Sequence, residues 1–153
     1  MSNPNIPQIN ISFSDRSIRV SRGVLEDLIR FVARAEGVRL GRIDLSIVGK
    51  DDIATANREF LRHAGPTDVI SFDLSNSHVR GICAQLIVCG EVAAEQAPLH
   101  GMTKRDELML YVIHGLLHVI GYDDLAIRPA AKMHARQDEL LSKFRRKHAR
   151  SIK

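Results

Sequence analysis

Two histidines four residues apart, His114 and His118, lie in a run of apolar residues. On a helix this spacing places both imidazoles on one face, within about 6 Å of each other, where they can share a metal ion. Gly121 allows the chain to turn out of the helix, and Asp124 follows three residues later, which completes the pattern HxxxHxxGxxD. Two histidines and one aspartate leave a coordination position open for water, as in catalytic rather than structural sites. The pattern therefore predicts a metal-dependent hydrolase site with His114, His118 and Asp124 as ligands.

The same residues allow other interpretations. The histidines can be core residues, although each unpaired imidazole nitrogen buried on an apolar helix costs about 1–3 kcal/mol. Asp124 can be a turn residue after Gly121, in which case Asp123 or His134 is the candidate ligand. Two histidines and a carboxylate suit Zn²⁺, which we expect here, but they also suit Mn²⁺ and Fe²⁺. The pattern predicts one divalent ion per chain and leaves its identity open.

The residue beside the first histidine separates two classes of hydrolase. Zinc peptidases with the HExxH pattern place a glutamate there as the general base. This chain has Gly115 at that position. A metallopeptidase-like hydrolase that lacks the usual glutamate is therefore the weaker alternative.

Hydrophobic periodicity predicts the elements that position these residues. We expect strands over residues 6–13, 43–48, 68–72 and 83–89, and helices over residues 21–36, 51–60, 92–99, 103–120 and from 129 onward. Ser21, Thr103, and Asp51 or Asp52 are the predicted N-caps, and Pro129 is the predicted first residue of the last helix. The order βαβαββααα predicts an α+β or mixed α/β fold, in which a sheet of about four strands is flanked by about five helices. The metal site then lies on a central buried helix.

Composition and charge limit the class of protein. With 44% hydrophobic and 26% charged residues, the chain of 153 residues has the composition of a folded domain, so we expect one domain over residues 1–153. The net charge is +4, and much of the excess lies in a basic C-terminal tail, residues 143–153. This tail is either a solvated helix end, whose cations suit the helix dipole, or a contact for nucleic acid.

The cysteines and the apolar runs predict the cellular compartment. Cys83 and Cys89 lie six residues apart on one predicted strand, about 20 Å along it, so they cannot form a disulfide. No apolar run reaches the length of a membrane span, and residues 1–7 do not resemble a signal peptide. We expect a cytoplasmic protein with no membrane contact.

Several motifs occur along residues 57–72 and 91–141. They are Arg62-His63, the PTDVISF run from Pro66, Glu95-Gln96-Ala97 and the HGLLHVIGYD run from His114. Together they resemble the YbeY family of bacterial metal-dependent endoribonucleases. The resemblance implies a zinc site, a mixed four-stranded sheet, and cleavage of single-stranded RNA in ribosomal RNA maturation and ribosome quality control. The implied partners are ribosomal RNA and the small ribosomal subunit, with ribosomal proteins or ribosome-associated GTPases as candidates.

The chain departs from the family pattern at two places. The family has a third histidine where this chain has Asp124, and a glycine-aspartate pair where this chain has Ala84-Gln85. Aspartate is an accepted zinc ligand, but its reach is shorter than that of histidine, and its charge makes a bound water less acidic. The change at Ala84-Gln85 has no interpretation from the sequence.

Arg62 resembles the arginine on which cleavage by the family depends. A guanidinium can hold a phosphodiester with two hydrogen bonds and stabilise the extra charge of its transition state. From the sequence alone, an exposed charge at a helix end is the stronger interpretation of Arg62. His63 is a candidate proton donor, and Thr67, Asp68 and Ser71 are predicted to shape the wall of the cleft.

The sequence therefore predicts an endoribonuclease with Arg62 as its catalytic residue and either water or the RNA 2′-hydroxyl as the nucleophile. A metallopeptidase-like hydrolase and a non-catalytic, ribosome-associated metal-binding protein stay as alternatives. Asp124 keeps the second alternative open, because a changed ligand can accompany a lost activity.

Overall fold

A four-stranded sheet with helices packed against it forms the framework of the protein. The computed structural model describes residues 6–62, 65–76, 80–122 and 126–152. Within these residues the strands are β1 (Gln8–Phe13), β2 (Leu40–Val48), β3 (Val69–Asp73) and β4 (Ile82–Cys89). The α-helices are α1 (Arg22–Glu36), α2 (Lys50–Ala56), α3 (Gly90–Gln96), α4 (Lys104–Ile120) and α5 (Ile127–Ile152). Their order is βαβαββααα, so the predicted mixed fold is confirmed.

The sheet is mixed, and its strand order is β1-β2-β4-β3. β1 and β4 are both parallel to β2, whereas β3 is antiparallel to β4, with Asp73 opposite Ala84. Leu86 of β4 is fully buried, as expected for a strand with neighbours on both sides and helices on the sheet. The departure from the family pattern at Ala84-Gln85 lies within β4, and nothing in the structure explains it. β3 forms one edge of the sheet.

Local capping determines where α1 and α4 begin. The Ser21 hydroxyl accepts a hydrogen bond from the Val24 N–H at 3.1 Å, and Gly37 ends α1 in the left-handed conformation, as predicted. At α4 the Thr103 hydroxyl accepts from the Asp106 N–H at 3.1 Å. The Asp106 carboxylate instead pairs with a guanidinium of α5 at 3.3 Å. The predicted cap at Thr103 therefore forms, but Asp106 does not return a hydrogen bond to complete a capping box.

Two predicted helix starts are wrong. Neither Asp51 nor Asp52 caps α2, because the helix begins one residue after Gly49 and the Glu91 carboxylate accepts from the Lys50 N–H at 2.9 Å. A side chain of α3 thus supplies the acceptor that we expected from the local sequence. Pro129 is the third residue of α5 rather than its first. It remains in the first turn, where its missing N–H has no helical acceptor to lose.

α4 packs against β3 and β4 at very short range. Its fully buried side chains are Leu108, Val112, Ile113 and Leu117. The closest approach is at Gly115, where an added Cβ would lie 3.1 Å from Val69 Cγ2 and 3.2 Å from Leu86 Cδ2. A glycine at this position allows the helix axis to approach the sheet more closely than any larger residue would.

The basic segment 143–153 is not a separate tail. Through Ile152 it continues α5, and Phe144 within it is buried against Phe31, with ring centroids 5.6 Å apart. The expectation of one domain over residues 1–153 stays a prediction. No helix in the described part of the chain combines the length and the apolar composition of a bilayer span.

The packing at Gly115 yields a stability prediction. Gly115→Ala should be less stable than Gly23→Ala by about 1–3 kcal/mol, the usual effect of overpacking, because both changes raise helix propensity but only one adds a methyl to a filled space. Gly23 is exposed in the first turn of α1, where an added Cβ meets nothing closer than 3.9 Å. Urea unfolding of both variants measures the difference. Equal stability would show that the sheet can move away from α4 without cost.

Candidate metal centre

The two predicted histidine ligands lie one turn apart on the half-buried side of α4. The Nε2 atoms of His114 and His118 face each other at 3.1 Å, and their rings meet edge to face with centroids 4.6 Å apart. Two imidazole nitrogens bound to one tetrahedral zinc ion, each at about 2.0–2.1 Å, lie about 3.3 Å from each other. The pair is therefore arranged as two ligands of a common ion.

The other nitrogen of His114 is held by a buried glutamine of α5. Gln137 is 6% exposed, and its Oε1 lies 2.8 Å from His114 Nδ1. Because an amide oxygen only accepts, His114 carries its proton on Nδ1 when it is neutral, which leaves the Nε2 lone pair directed toward His118. A second lone pair on His118 Nε2, 3.1 Å away, would repel the first unless a proton or a cation lay between them. The donor set thus fits a divalent ion.

Sequence reasoning missed Gln137. It lies on the apolar stripe of α5, at a position where a hydrophobic residue is expected. The other residues of this stripe are the buried Met133, Leu140, Leu141 and Phe144. A polar residue within such a stripe was the available signal. Outer hydrogen bonds of this kind fix the tautomer and the ring orientation of histidine ligands in metalloproteins.

The third ligand is not settled by the described residues. His134, a substitute considered from the sequence, is exposed, and its Nδ1 accepts from Gln137 Nε2 at 3.2 Å. Its ring centroid lies 6.2 Å from that of His114, but within the described residues no three His, Cys, Asp or Glu side chains converge on one point. Asp123 and Asp124 lie outside the described residues, so ligation by Asp124 stays a prediction.

The chain leaves α4 through a fixed turn. Gly121 has φ 126°, a conformation that disfavours side chains. The next residue, Tyr122, donates from its hydroxyl to Glu36 Oε1 at 3.1 Å, and Arg136 Nε donates to the same oxygen at 2.8 Å. Burial, and then the hydrogen bond to Glu36, raise the pKa of Tyr122, which keeps the phenol a neutral donor. This network ties the start of the segment that contains Asp124 to α1 and α5.

A cleft of about 460 Å³ opens beside the imidazoles. Besides the two histidines, its walls include Leu61, Asp68, Ser71 and Asp73. Asp68 and Ser71 line the cleft as predicted, and Thr67 donates to the Asp68 carboxylate at 3.2 Å. The edge strand β3 and the residue before it thus bring polar side chains to the imidazoles, and two of these, Asp68 and Asp73, are carboxylates.

Arg62 is not among the residues that line this cleft, although its neighbour Leu61 is. Arg62 follows a five-residue π-helical turn, Asn57–Leu61, and has φ 57°, the one positive φ outside glycine among the described residues. The buried Asn57 side chain donates to the Gly65 carbonyl at 3.0 Å, which holds the chain around Arg62. A left-handed residue with a side chain costs about 1–2 kcal/mol, and such strain is often found at functional sites. His63 lies outside the described residues.

The packing around Gly115 argues against the metallopeptidase alternative. A general base at this position would need a side chain, but the position is buried against Val69 and Leu86 with no room for one. The first histidine therefore has no adjacent glutamate and cannot acquire one without moving α4.

A mixed sheet whose central helix presents two imidazoles to a polar cleft defines a class of protein, the metal-dependent hydrolases with a histidine-based centre. The chain belongs to the YbeY family within this class, because the family model described as Endoribonuclease YbeY matches residues 8–145.

Individual relatives agree with this assignment. Endoribonuclease YbeY of Rhodopirellula baltica is 37% identical over 131 residues, which cover 83% of this chain and 65% of that protein. Endoribonuclease YbeY of Bacillus subtilis is 30% identical over 148 residues, which cover 88% and 94% of the two chains. The solution structure of TM1509 from Thermotoga maritima is similar over 94% of this chain and 93% of that one, with a TM-score of 0.63 and 25% identity.

The hydrogen bond between His114 and Gln137 yields a prediction about metal affinity. His114→Ala should lose the metal, whereas Gln137→Leu should weaken metal binding by about 10- to 100-fold, because the imidazole loses the acceptor that orients it. Gln137→Glu keeps an acceptor oxygen and should retain the parent affinity within a few fold. Competition with a chromophoric chelator measures all three. Parent affinity in Gln137→Leu would remove this glutamine from the centre.

A second prediction concerns the unplaced ligand. Asp124→Ala should weaken metal binding and Asp124→His should retain or improve it, since imidazole also binds zinc. Asp123→Ala and His134→Ala are the matched controls and should leave affinity unchanged. Loss of affinity in a control, with none in Asp124→Ala, would assign the ligand to that control residue.

Proposed function

We propose that the protein is a metal-dependent endoribonuclease that cleaves single-stranded RNA in ribosomal RNA maturation and ribosome quality control. The observation that carries the proposal is the pair of Nε2 atoms 3.1 Å apart at the cleft, in a chain that the YbeY endoribonuclease family covers over residues 8–145. The named relatives support RNA as the substrate.

His114, His118 and Asp124 would hold the ion, which we propose to be zinc; the carboxylate also suits Mn²⁺ and Fe²⁺. When bound, such an ion supplies Lewis acidity toward a phosphodiester oxygen. Gln137 keeps His114 in the tautomer whose Nε2 lone pair can bind the ion. The hydrogen bond from Tyr122 to Glu36 holds the chain in place just after Gly121, where α4 ends.

The negative charge of the cleft favours a bound cation, which would reduce the repulsion between the cleft and the phosphates of RNA. Asp68 and Asp73 both line the cleft and repel a phosphodiester that enters it. An ion held by the imidazoles would offset this repulsion, and Arg62, one residue after the cleft-lining Leu61, would offer a guanidinium. Two parallel N–H···O bonds from a guanidinium suit the phosphate oxygens.

The cellular part of the proposal places the protein in the cytoplasm with small-subunit ribosomal RNA as substrate. Ribosomal proteins or ribosome-associated GTPases are its proposed protein partners. Family membership supports these assignments, and isolation of the tagged protein with ribosomal particles tests them.

Cleavage of RNA by the purified protein tests the proposed reaction. The parent should cut a single-stranded RNA, lose this activity with a chelator, and recover it with added Zn²⁺ or Mn²⁺. Arg62→Ala should retain the metal yet lose about 10²- to 10³-fold in single-turnover rate, the usual effect of removing one preorganised donor.

Arg58→Ala is the matched control, because Arg58 is also exposed and lies in the π-helical turn that precedes Arg62. It should cleave at the parent rate. If Arg62→Ala and Arg58→Ala have equal rates, Arg62 is not the catalytic residue. If the parent cuts an unfolded polypeptide and no RNA, the protein is a peptidase, and if it binds metal but cuts neither, the non-catalytic alternative holds.

A further inference from the structure

Two grooves at the far end of α4 from the histidines are rimmed by arginines. The first, of about 710 Å³, lies between the first turns of α4 and the last turns of α5. Its rim carries Arg105, Arg145 and Arg146, and its floor is formed by Met109 and Phe144. Positive charge thus surrounds an apolar floor.

The second groove, of about 450 Å³, lies at the connection between β1 and α1. It is lined by Arg16 and Arg19 and, from α4, by Arg105. Arg105 lines both grooves, so they form one continuous surface. We call this the basic surface and define it by Arg16, Arg19, Arg105, Arg145 and Arg146.

The basic surface has little compensating negative charge. Among the residues lining the two grooves the carboxylate is that of Asp106, which is 7% exposed and already paired with Arg145 at 3.3 Å. Within the described part of the chain, Arg16, Arg19, Arg105 and Arg146 form no ion pair. Four exposed guanidinium groups therefore remain available to an anion.

We propose that the basic surface binds the phosphate backbone of RNA at a distance from the metal cleft. Guanidinium groups match phosphate oxygens in geometry and charge, and a series of them over two joined grooves suits a long flexible polyanion better than a small anion. The apolar floor of the first groove can contact a base or a ribose. The choice of RNA rather than an acidic protein rests on the proposed function, in which RNA is the substrate.

The distance between the two sites determines which RNAs can use both. Arg105 and His118 are 13 residues apart on α4, which corresponds to about 20 Å along the helix. An RNA of about two nucleotides is too short to contact both sites even when fully extended, whereas one of about 20 nucleotides, at about 3.4 Å each in a stacked strand, is long enough. The basic surface should therefore affect long RNAs and not short ones.

Equilibrium binding of fluorescent 2′-O-methyl RNAs to the metal-loaded protein tests the proposal, with a gel to show that the RNA stays intact. For the long RNA, the double variant Arg105→Gln, Arg146→Gln should bind at least about tenfold more weakly near 0.1 M salt. Its log-log salt slope should fall by about 1.4, which is two lost contacts at about 0.7 each. For the short RNA, the affinity should not change.

The double variant Arg34→Gln, Arg42→Gln is the matched control, since both residues are exposed, lie outside the two grooves and carry the same total charge. It should bind the long RNA like the parent. Equal losses in the two double variants would reduce the effect to net charge, and an unchanged slope in the Arg105, Arg146 variant would overturn the proposal directly. If the Arg105, Arg146 variant bound RNA like the parent but bound anionic vesicles more weakly, the basic surface would be a membrane-binding surface. That result would also overturn the proposal.

The binding readout does not depend on cleavage, so it can fail or succeed separately from the proposed function. In single-turnover cleavage of a long RNA, the Arg105, Arg146 variant should need a higher protein concentration for half-maximal rate but keep the parent maximal rate within about twofold, which separates weaker binding from slower chemistry. A lower maximal rate at unchanged half-maximal concentration would contradict a binding role.

Discussion

The close approach of α4 to β3 and β4 at Gly115 is the constraint on which the rest of the structure depends. A methyl group at this residue would already lie 3.1 Å from a side chain of β3. Because α4 lies so near the sheet, the imidazoles of His114 and His118, on either side of Gly115, lie close to the edge strand β3. Polar residues of this strand form the other wall of the cleft. The same closeness excludes a general base beside His114, the first candidate ligand, which is a difference from the HExxH pattern of zinc peptidases.

A second consequence of this packing is that polar groups of α4 must find partners inside an apolar environment. An imidazole nitrogen without one costs about 1–3 kcal/mol there. Gln137 of α5 supplies the acceptor for His114, so the contact between two helices also determines the tautomer of a candidate metal ligand. The buried glutamine therefore contributes to both stability and chemistry, which is why a hydrophobic residue at this position of the stripe would not be equivalent.

Features that depend on neighbours in the chain could be predicted from the sequence. The order of elements, the Ser21 cap, the Gly37 stop and the spacing of the two histidines all follow from local patterns and agree with the structure. The start of α2 could not be predicted, because its acceptor is Glu91, 41 residues further along. Gln137 was missed for the same reason, since its partner lies on another helix.

The conformation of Arg62 also escaped sequence reasoning. Its positive φ follows a π-helical turn and a side-chain hydrogen bond from Asn57 to Gly65, and neither has a reliable local signature. The motif drew attention to Arg62 through resemblance alone, and only the structure shows that Leu61, one residue earlier, is the one that lines the cleft. Asp124 was predicted as a ligand from its spacing after Gly121. This spacing concerns the backbone and does not determine where the carboxylate lies.

One helix carries both the imidazoles and Arg105. A straight α-helix fixes the distance between its two ends by its rise per residue, with no hinge or flexible linker between them. If a strand is anchored by its phosphates at one end of α4 and cut at the other, the helix acts as a ruler. The helix length would then set the minimum number of nucleotides between the anchored phosphates and the cut, and with it a lower limit on the length of the product.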